Sequence, residues 1–384
     1  MRCLFVFEGG AGAILPLVPL AHALRSVGHE VLAGVHSEYV PLMVEAGVPA
    51  FGAPRKGPRE YRGVRDGKML PLPTDLEERA DVLGRLGAQI AADGYHELID
   101  LAQAFRPDLV IGGPLAYAAQ LLAQRLDVPS VAVEFGMAEP ASWHAVTLAE
   151  LDRLGFPDVG EPTLTLSLAP ESIRPRPGTA AAESMRYLPA ELMRYVPYAP
   201  AVTPEKWMYE PGKRPRLWLS GGSRINDDYR LDYLTGLIEA AVKLDVELFI
   251  ATPPAIAERV RGISGHARVG WLPFDILMPT CDLAVHHGGG STLLGCVASG
   301  VPQVIIPYMP ETEVICGPLR DQGAARVLTA TTHTPAELLA VCQETLADPT
   351  YREAAVALRK EALAAPSPAD TVARLERLVS TGAA

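Results

Sequence analysis

The residues with the clearest chemistry lie in one run of the chain, HHGGGST, from His286 to Thr292. Residues 282–286 form a mostly apolar segment of strand length, and the apolar residues after the run have helical spacing. The run therefore predicts a turn from a strand to a helix N-terminus, where free N–H groups and the helix dipole bind anions such as phosphate. His287 would donate a ring N–H to the same anion. An ordinary tight turn is the alternative, and the paired histidines favour the anion site.

Polar groups follow other predicted strands of the same half of the chain. The segment SGGSR, which begins at the last residue of the predicted strand 217–220, offers Ser220, Ser223 and Arg224 to a diphosphate. Trp271 and Leu272, in GWLP, follow a short strand, and an indole there suits stacking on a nucleobase. For both segments a purely structural role, as a simple turn or a core tryptophan, stays open.

Carboxylates follow two predicted strands of the first half. Glu8 comes after the first strand, and Glu134 and Glu139 come at the end of VPSVAVEF. Ligands of open α/β sheets bind at the carboxyl ends of strands, so each carboxylate is a candidate general base. A capping or solvated role is the alternative for each. His144 is a further candidate, whereas His22 lies inside a predicted helix and is interpreted as structural.

These residues are positioned by two series of alternating strands and helices, which predict two parallel sheets. The predicted class is α/β, with two Rossmann-like domains facing across a cleft. We expect the domains at residues 1–195 and 216–365, with a proline-rich linker at 196–215. A last helix, within 366–384, would pack back on the first domain. Residues 53–75 are predicted to be a long basic loop.

The segments between the candidate residues also have predicted structures. A single helix is expected at residues 14–27, and another, broken near residues 93–94, at 76–105. Residues 131–134 are predicted to be a strand, followed by a loop at 135–144.

Composition excludes several classes of protein. The chain has 384 residues and a formal net charge of −11, which disfavours nucleic acid and anionic membranes as partners. No uninterrupted apolar run reaches the ~18 residues of a membrane span, and the first residues resemble a strand more than a signal peptide. The five cysteines have no metal or disulfide spacing. We therefore expect a cytoplasmic protein without metal or resident cofactor.

The motif HHGGGST, followed by GVPQVIIP, resembles the donor-binding signature of family 1 glycosyltransferases of the GT-B fold. RPDLVIGG, LDVPS and GWLP also match, so the resemblance covers nearly the whole chain. It is closest to actinobacterial antibiotic glycosyltransferases that transfer deoxysugars to aromatic polyketides, and among them to urdamycin-type C-glycosyltransferases. The donor-binding residues that the pattern and the resemblance imply together are Ser220, Ser223, Arg224, Trp271, Leu272, His286, His287, Gly288, Gly289, Gly290, Ser291, Thr292 and Glu311.

The chain departs from that family pattern at two positions. Ala13 stands where the family has a histidine base, and an alanine methyl group cannot accept a proton. The resemblance to C-glycosyltransferases then implies a carboxylate base in the loop after the VP strand, which holds Glu134 and Glu139. After Glu311, Thr312 stands where the family commonly has glutamine, which fits a sugar with fewer hydroxyl groups.

The predicted function is therefore inverting transfer of a deoxysugar, such as olivose, from a dTDP-sugar to an aromatic polyketide, with C-glycosylation ortho to a phenol favoured. O-glycosylation of the same acceptor is the alternative. A GT-B nucleotide-sugar epimerase and an inactive partner protein are further alternatives. A dinucleotide dehydrogenase is disfavoured, because EGGAGA at residues 8–13 is a weak glycine motif. The expected partners are small molecules, and a homodimer is left open.

Overall fold

The computed structural model describes residues 1–65, 68–136, 139–176, 178–179, 183–223, 225, 231–329 and 334–381. The chain divides into two compact units. Unit 1 comprises Met1–Leu168, Arg176–Met193 and Pro366–Ala384, and unit 2 comprises Ala169–Pro175 and Arg194–Ala365.

Unit 1 is built on a sheet of seven parallel strands. In chain order the strands of unit 1, including those outside this sheet, are β1 Arg2–Val6, β2 Glu30–Val35, β3 Ala50–Gly52, β4 Val64–Arg65, β5 Lys68–Met69, β6 Leu109–Gly112, β7 Ser130–Glu134, β8 Glu139–Pro140, β9 Leu164–Ser167, β10 Met185–Arg186 and β11 Glu191–Leu192. The large sheet has the order β11-β9-β7-β6-β1-β2-β3, while β4–β5 and β8–β10 are antiparallel pairs. The strand order reverses beside β1, which is where open α/β sheets bind ligands.

The helices of unit 1 up to its last strands are α1 Ala11–Ile14, α2 Val18–Ser26, α3 Val40–Glu45, α4 Pro58–Arg62, α5 Leu76–Phe105, α6 Tyr117–Leu126 and α7 Ala141–Arg153. A single helix was expected over residues 14–27, but the 3₁₀ turn Leu15–Leu17 separates α1 from α2. Pro16 and Pro19 lie at the starts of that turn and of α2, where a missing N–H costs little. The expected loop at 53–75 also contains α4 and the β4–β5 pair.

The long helix α5 begins at the cap Asp75, whose carboxylate accepts from the N–H groups of Glu77 and Glu78. A break near residue 94 was predicted, and this prediction was wrong, because α5 runs without interruption through Gly94. A Cβ placed at Gly94 would lie 3.6 Å from Cβ of Ala118, at ordinary van der Waals distance. The glycine at this position thus lies where α6 packs against α5, within a continuous helix.

Helices α5 and α7 pack more closely than α5 and α6. A Cβ at Gly84 would lie 2.6 Å from Cβ of Val146 and 2.8 Å from the carbonyl oxygen of Trp143. Thr147 Oγ1 donates to the Gly84 carbonyl at 3.1 Å and so fixes α7 against α5. Residues 135–144 were predicted as a loop, but α7 begins at residue 141, so that His144 lies in its first turn.

Unit 2 contains a second parallel sheet, with the order β14-β13-β12-β15-β16-β17. Its strands are β12 Arg216–Ser220, β13 Glu247–Ala251, β14 Arg268–Gly270, β15 Leu283–His286, β16 Gln303–Ile305 and β17 Ala325–Val327. Its helices are α8 Leu231–Ala241, α9 Pro254–Arg261, α10 Phe274–Leu277, α11 Gly290–Ser299, α12 Pro310–Asp321, α13 Pro335–Ala347 and α14 Pro349–Ala364. Helices α12 and α13 begin with proline, and Thr334 and Glu337 form a capping box on α13.

The last helix, α15 Pro368–Thr381, belongs to unit 1. Arg374 in α15 pairs with Glu191 of β11 at 2.9 Å, and Glu376 contacts His29 at 3.0 Å. The predicted α/β class with two parallel sheets is confirmed. Within the described part of the chain, no helix is both long and apolar enough to cross a membrane.

Candidate functional site

The two histidines after β15 have different environments. His286 is fully buried, and its Nε2 lies 2.8 Å from Oε1 of Gln303 on the neighbouring strand β16. Its Nδ1 accepts from the Gly288 N–H at 3.1 Å, so the proton is on Nε2. Burial lowers the pKa of His286 to about 4, so that the ring is neutral. His286 was predicted to bind the donor; in the structure its Nε2 is hydrogen-bonded to strand β16 and its Nδ1 to the loop.

His287, by contrast, is partly exposed and lies between two glycines. A Cβ at Gly222 would lie 2.6 Å from Cε1 of His287, and one at Gly289 would lie 2.6 Å from its Nε2. Gly222 also has φ of +94°, which side chains rarely adopt. Tyr308 stacks on the imidazole with 4.8 Å between ring centroids and donates its hydroxyl to the Gly221 carbonyl. These contacts fix the plane of the imidazole at the carboxyl ends of β12 and β15.

Helix α11 begins directly after this loop, as predicted. Gly289 is its N-cap, no side chain caps the first turn, and Ser291 and Thr292 are partly exposed there. Gly288, with φ of +87°, packs closely on the next helix, because a Cβ there would lie 2.6 Å from Cγ2 of Thr312. The first turn of α11 therefore presents backbone N–H groups and the positive end of the helix dipole beside His287.

The remaining predicted donor residues lie on the loops after the other strands of unit 2. Ser220, the last residue of β12, accepts from the Gly222 N–H at 3.1 Å, and Ser223 is exposed. Arg224 lies outside the described residues. Trp271 follows β14 and is 38% exposed, which excludes the interpretation of a core tryptophan. Two further residues were predicted: Leu272 is partly buried against the core of unit 2, and Glu311 lies in the first turn of α12.

Unit 1 has its own pocket at the carboxyl ends of β6 and β7. Its lining includes Glu134, Glu139, Tyr117, His144 and Arg186. The sequence had placed the two glutamates and the histidine near one strand end, and the structure brings all three to the same pocket. Position 13, where the family has a histidine, lies in α1 with the Ala13 methyl beside Gly9.

Three of the pocket residues form one hydrogen-bonded cluster. The Tyr117 hydroxyl lies 2.6 Å from both carboxylate oxygens of Glu139, and 2.6 Å from Nδ1 of His144. Nδ1 is 3.4 Å from Oε2 of Glu139, and the rings of Tyr117 and His144 stack with 5.7 Å between centroids. Burial, together with the charge of Glu139, raises the pKa of Tyr117 well above its ordinary value, so the phenol keeps its proton.

The third predicted carboxylate, Glu8, is directed at the first turn of α6. Its Oε1 accepts from the Ala118 N–H at 3.0 Å, and the Tyr117 N–H contributes a second bond. Burial, with a smaller contribution from the charge of Glu139, raises the pKa of Glu8 to about 8, and the two N–H groups oppose that rise. Glu8 therefore caps the helix that carries Tyr117.

Sequence reasoning missed two residues of the pocket, Tyr117 and Arg186. Tyr117 lies just after the glycines that end β6, which is the available signal, since strand ends bind ligands. Arg186 is brought to the pocket by the antiparallel pairing of β10 with β8, opposite Glu139, and no local pattern announces it. Among the described residues, no group of three or more His, Cys, Asp or Glu side chains could hold a metal ion.

The two parallel-sheet units and the loop after β15 define a class of protein. The structure of glycosyltransferase SsfS6 from Streptomyces sp. SF2575, solved with thymidine diphosphate, superposes with a TM-score of 0.82 at 29% identity, covering 98% of this chain and 99% of that one. The chain is a GT-B glycosyltransferase, and the resemblance noted in the sequence is confirmed.

Family models and similar sequences identify the family within this class. Models of the erythromycin biosynthesis protein CIII-like N-terminal and C-terminal domains match residues 85–222 and 235–378. L-demethylnoviosyl transferase of Streptomyces niveus is 30% identical over 382 residues, covering 96% of each chain. 10-deoxymethynolide desosaminyltransferase of Streptomyces venezuelae is 29% identical over 409 residues, covering 95% of this chain and 94% of that one. The chain belongs to the erythromycin biosynthesis protein CIII-like family of antibiotic glycosyltransferases, and it is an enzyme that transfers sugar from a nucleotide sugar.

Proposed function

We propose that this enzyme transfers a deoxysugar, with inversion, from a thymidine diphosphate sugar to the phenol of an aromatic polyketide. The observation that carries the proposal is the loop after β15, where His287 is held between Gly222 and Gly289 beside the first turn of α11. Such a site suits the diphosphate of a departing nucleotide. Thymidine diphosphate bound to SsfS6, and the deoxysugars in the names of both relatives, support the choice of donor.

On the donor side, the proposed chemistry is stabilisation of the leaving group. Charge develops on the diphosphate as its bond to the anomeric carbon breaks, and fixed donors aimed at that charge lower the barrier. His287 and the N–H groups of α11 would supply these donors, with Ser223 and Arg224 assisting, and the proposal needs no metal ion. Trp271 would stack on the thymine. The missing glutamine at Thr312 is consistent with a donor sugar that has fewer hydroxyl groups.

On the acceptor side, the pocket of unit 1 supplies groups that can take a proton. Glu134, Glu139 and His144 line it, whereas Ala13 offers none. A deprotonated phenol carries negative charge on oxygen and on its ortho carbon, so attack by carbon gives a C-glycoside and attack by oxygen gives an O-glycoside. We propose the C-glycoside, following the resemblance to urdamycin-type enzymes. The S. venezuelae relative is named for a 10-deoxymethynolide acceptor, so the test includes macrolactones.

The test is incubation of the purified enzyme with dTDP-olivose and other dTDP-deoxysugars, against a panel of aromatic polyketides and macrolactones. We expect a glycosylated aromatic product that survives hot acid, which cleaves O-glycosides but not C-glycosides. An acid-labile product would contradict C-glycosylation alone. If the enzyme instead converted the donor to an epimer in the absence of an acceptor, the proposed transfer reaction would be contradicted.

Binding of thymidine diphosphate tests the donor residues separately. Trp271→Ala is expected to weaken binding by about 1–3 kcal/mol, the range for stacking of a base on an aromatic ring. His287→Ala is expected to lower turnover of the dTDP-sugar. Unchanged turnover in His287→Ala would refute the assignment of the leaving-group site.

A further inference from the structure

The identity of the proton acceptor in unit 1 is the open chemical question of the pocket. The family usually has its histidine base at position 13, but this chain has Ala13 there, and a methyl group cannot accept a proton. Glu8 already accepts from the first turn of α6. Glu139 and His144 are joined through Tyr117 in one cluster, and they differ in which of their atoms remain available to a substrate.

Glu139 is poorly placed to reach an acceptor. Its side chain is only 3% exposed, and both carboxylate oxygens lie 2.6 Å from the Tyr117 hydroxyl. The side chain of His144 also lies within 3.4 Å of Oε2. The carboxylate is thus enclosed by the two side chains that it orients, as expected of a group that acts through its neighbours.

The hydrogen bonds also determine the tautomer of His144. A tyrosine hydroxyl has one proton, and with Glu139 ionised that proton is donated to the carboxylate. The 2.6 Å contact from the same hydroxyl to Nδ1 then requires a proton on Nδ1. In a neutral imidazole the lone pair is consequently on Nε2. No described residue is hydrogen-bonded to Nε2, and the side chain, 20% exposed, lines the pocket.

From this geometry we infer that His144 Nε2 is the general base of the transfer, with Glu139 and Tyr117 as its positioning residues. The inference rests on the proposed function and assigns the proton step within it. The arrangement is that of a histidine base whose other nitrogen is held by a neighbouring side chain, here the Tyr117 hydroxyl, which Glu139 orients in turn. Helix α7, which was not expected from the sequence, carries the base on its first turn.

In the transfer step, a proton moves to His144 while one bond to the anomeric carbon replaces another. The acceptor O–H bond breaks and its proton binds Nε2. The acceptor oxygen, or the ortho carbon, bonds to the anomeric carbon, and the anomeric carbon–oxygen bond breaks with its electron pair passing to the diphosphate. After attack by carbon, the ortho proton passes to solvent as the ring regains aromaticity, and the phenolate oxygen takes back the proton held by the imidazolium. After attack by oxygen, the imidazolium releases its proton to solvent. Nδ1 keeps its hydrogen throughout.

The test compares His144→Gln, His144→Gly and Glu139→Gln in the full chain, with His96→Gln as the matched control. His96 is an exposed imidazole on α5 of the same unit. Loss of a general base costs about 10²–10⁴-fold, so both His144 variants are expected to lose this much in kcat while thymidine diphosphate binding is retained. His96→Gln should keep the kcat of the wild type, because His96 is not part of the pocket lining.

Two readouts separate a base from a structural residue. Added imidazole should restore turnover in His144→Gly by at least about tenfold but should not do so in Glu139→Gln, because only the first lacks the proton acceptor. The loss of kcat in His144→Gln should be smaller with more acidic phenols, because they give up their proton without a strong base. Glu139→Gln and Tyr117→Phe should lower kcat with KM unchanged, and Glu139→Asp should recover part of the loss.

The inference is overturned if Glu139→Gln loses more activity than His144→Gln, or if imidazole fails to restore His144→Gly while thymidine diphosphate still binds. In either case His144 would not be the base, and the proposed function would stand. A wild-type enzyme that transfers no deoxysugar from any donor of the panel would instead contradict both.

Discussion

The carboxyl group of Glu8 is subject to two opposing effects, and its pKa shows which is larger. The first turn of α6 favours the ionised form through two N–H bonds and the helix dipole, whereas burial favours the neutral acid. Burial dominates, since the pKa rises from 4.5 to about 8. A carboxyl group that ionises less readily in the folded state destabilises the fold as pH rises between those two values.

We therefore predict that Glu8→Gln is more stable than the wild type at high pH and similar to it near pH 5. The glutamine oxygen can still accept from the Ala118 N–H, but it carries no charge. Each pH unit between the unfolded and folded pKa values corresponds to about 1.4 kcal/mol, so the advantage would approach ~5 kcal/mol above pH 8. Because Glu8 retains some contact with solvent, this value is the upper end of the expected effect.

The measurement is urea unfolding of the wild type and Glu8→Gln at pH 5, 6.5, 8 and 9. Glu45→Gln serves as the control, since Glu45 is exposed at the end of α3. The difference in unfolding free energy between wild type and Glu8→Gln should grow steadily from pH 5 to 8 and then level off. A difference that is independent of pH, or a wild type that gains on the variant as pH rises, would show that α6 stabilises the anion and that the reasoning is wrong.

Two further predictions concern unit 2. Gly222→Ala should weaken thymidine diphosphate binding at least about tenfold, since the new Cβ would displace His287 and positive φ costs about 1–2 kcal/mol in a non-glycine residue. Gly236→Ala, with open space around it, should bind normally in the same titration. His286 has a folded pKa lowered to about 4, so acid should destabilise the wild type by up to ~3 kcal/mol between about pH 6.5 and 4. His286→Gln should lack that acid-dependent part in urea unfolding, and an unchanged pH dependence would show that His286 is not the group responsible.

Much of the fold could be predicted because buried parallel strands are continuous apolar runs. The predicted strand at residues 131–134 is β7, and the run before HHGG is β15, each bounded within about two residues. Helix α7 was missed because the segment after β7 contains Gly136 and Pro140, which are typical of a loop. Helix α5 was predicted to break at Gly94 because a glycine in a helix is locally unfavourable, whereas its fit against Ala118 is a tertiary contact.

The candidate site could also be predicted only in part. The HHGGGST loop and α11 were predicted because they depend on neighbouring residues alone. The environment of His286 depends on Gln303, 17 residues away, and that of Glu139 depends on Tyr117, 22 residues away. A sequence pattern shows that two histidines or two glutamates share a strand end, but only the packed structure shows which side chains each of them contacts.

The tight interface between α5 and α7 has a consequence for changing the acceptor range of this enzyme. Gly84 has no room for a methyl group against Val146 and the Trp143 carbonyl, and that carbonyl precedes His144 directly. A larger residue at position 84 would force the first turn of α7 to shift and carry His144 with it. Libraries that aim to admit bulkier acceptors should therefore keep Gly84 fixed, although it is not part of the pocket lining, and diversify the lining at Leu188 and Val159 instead.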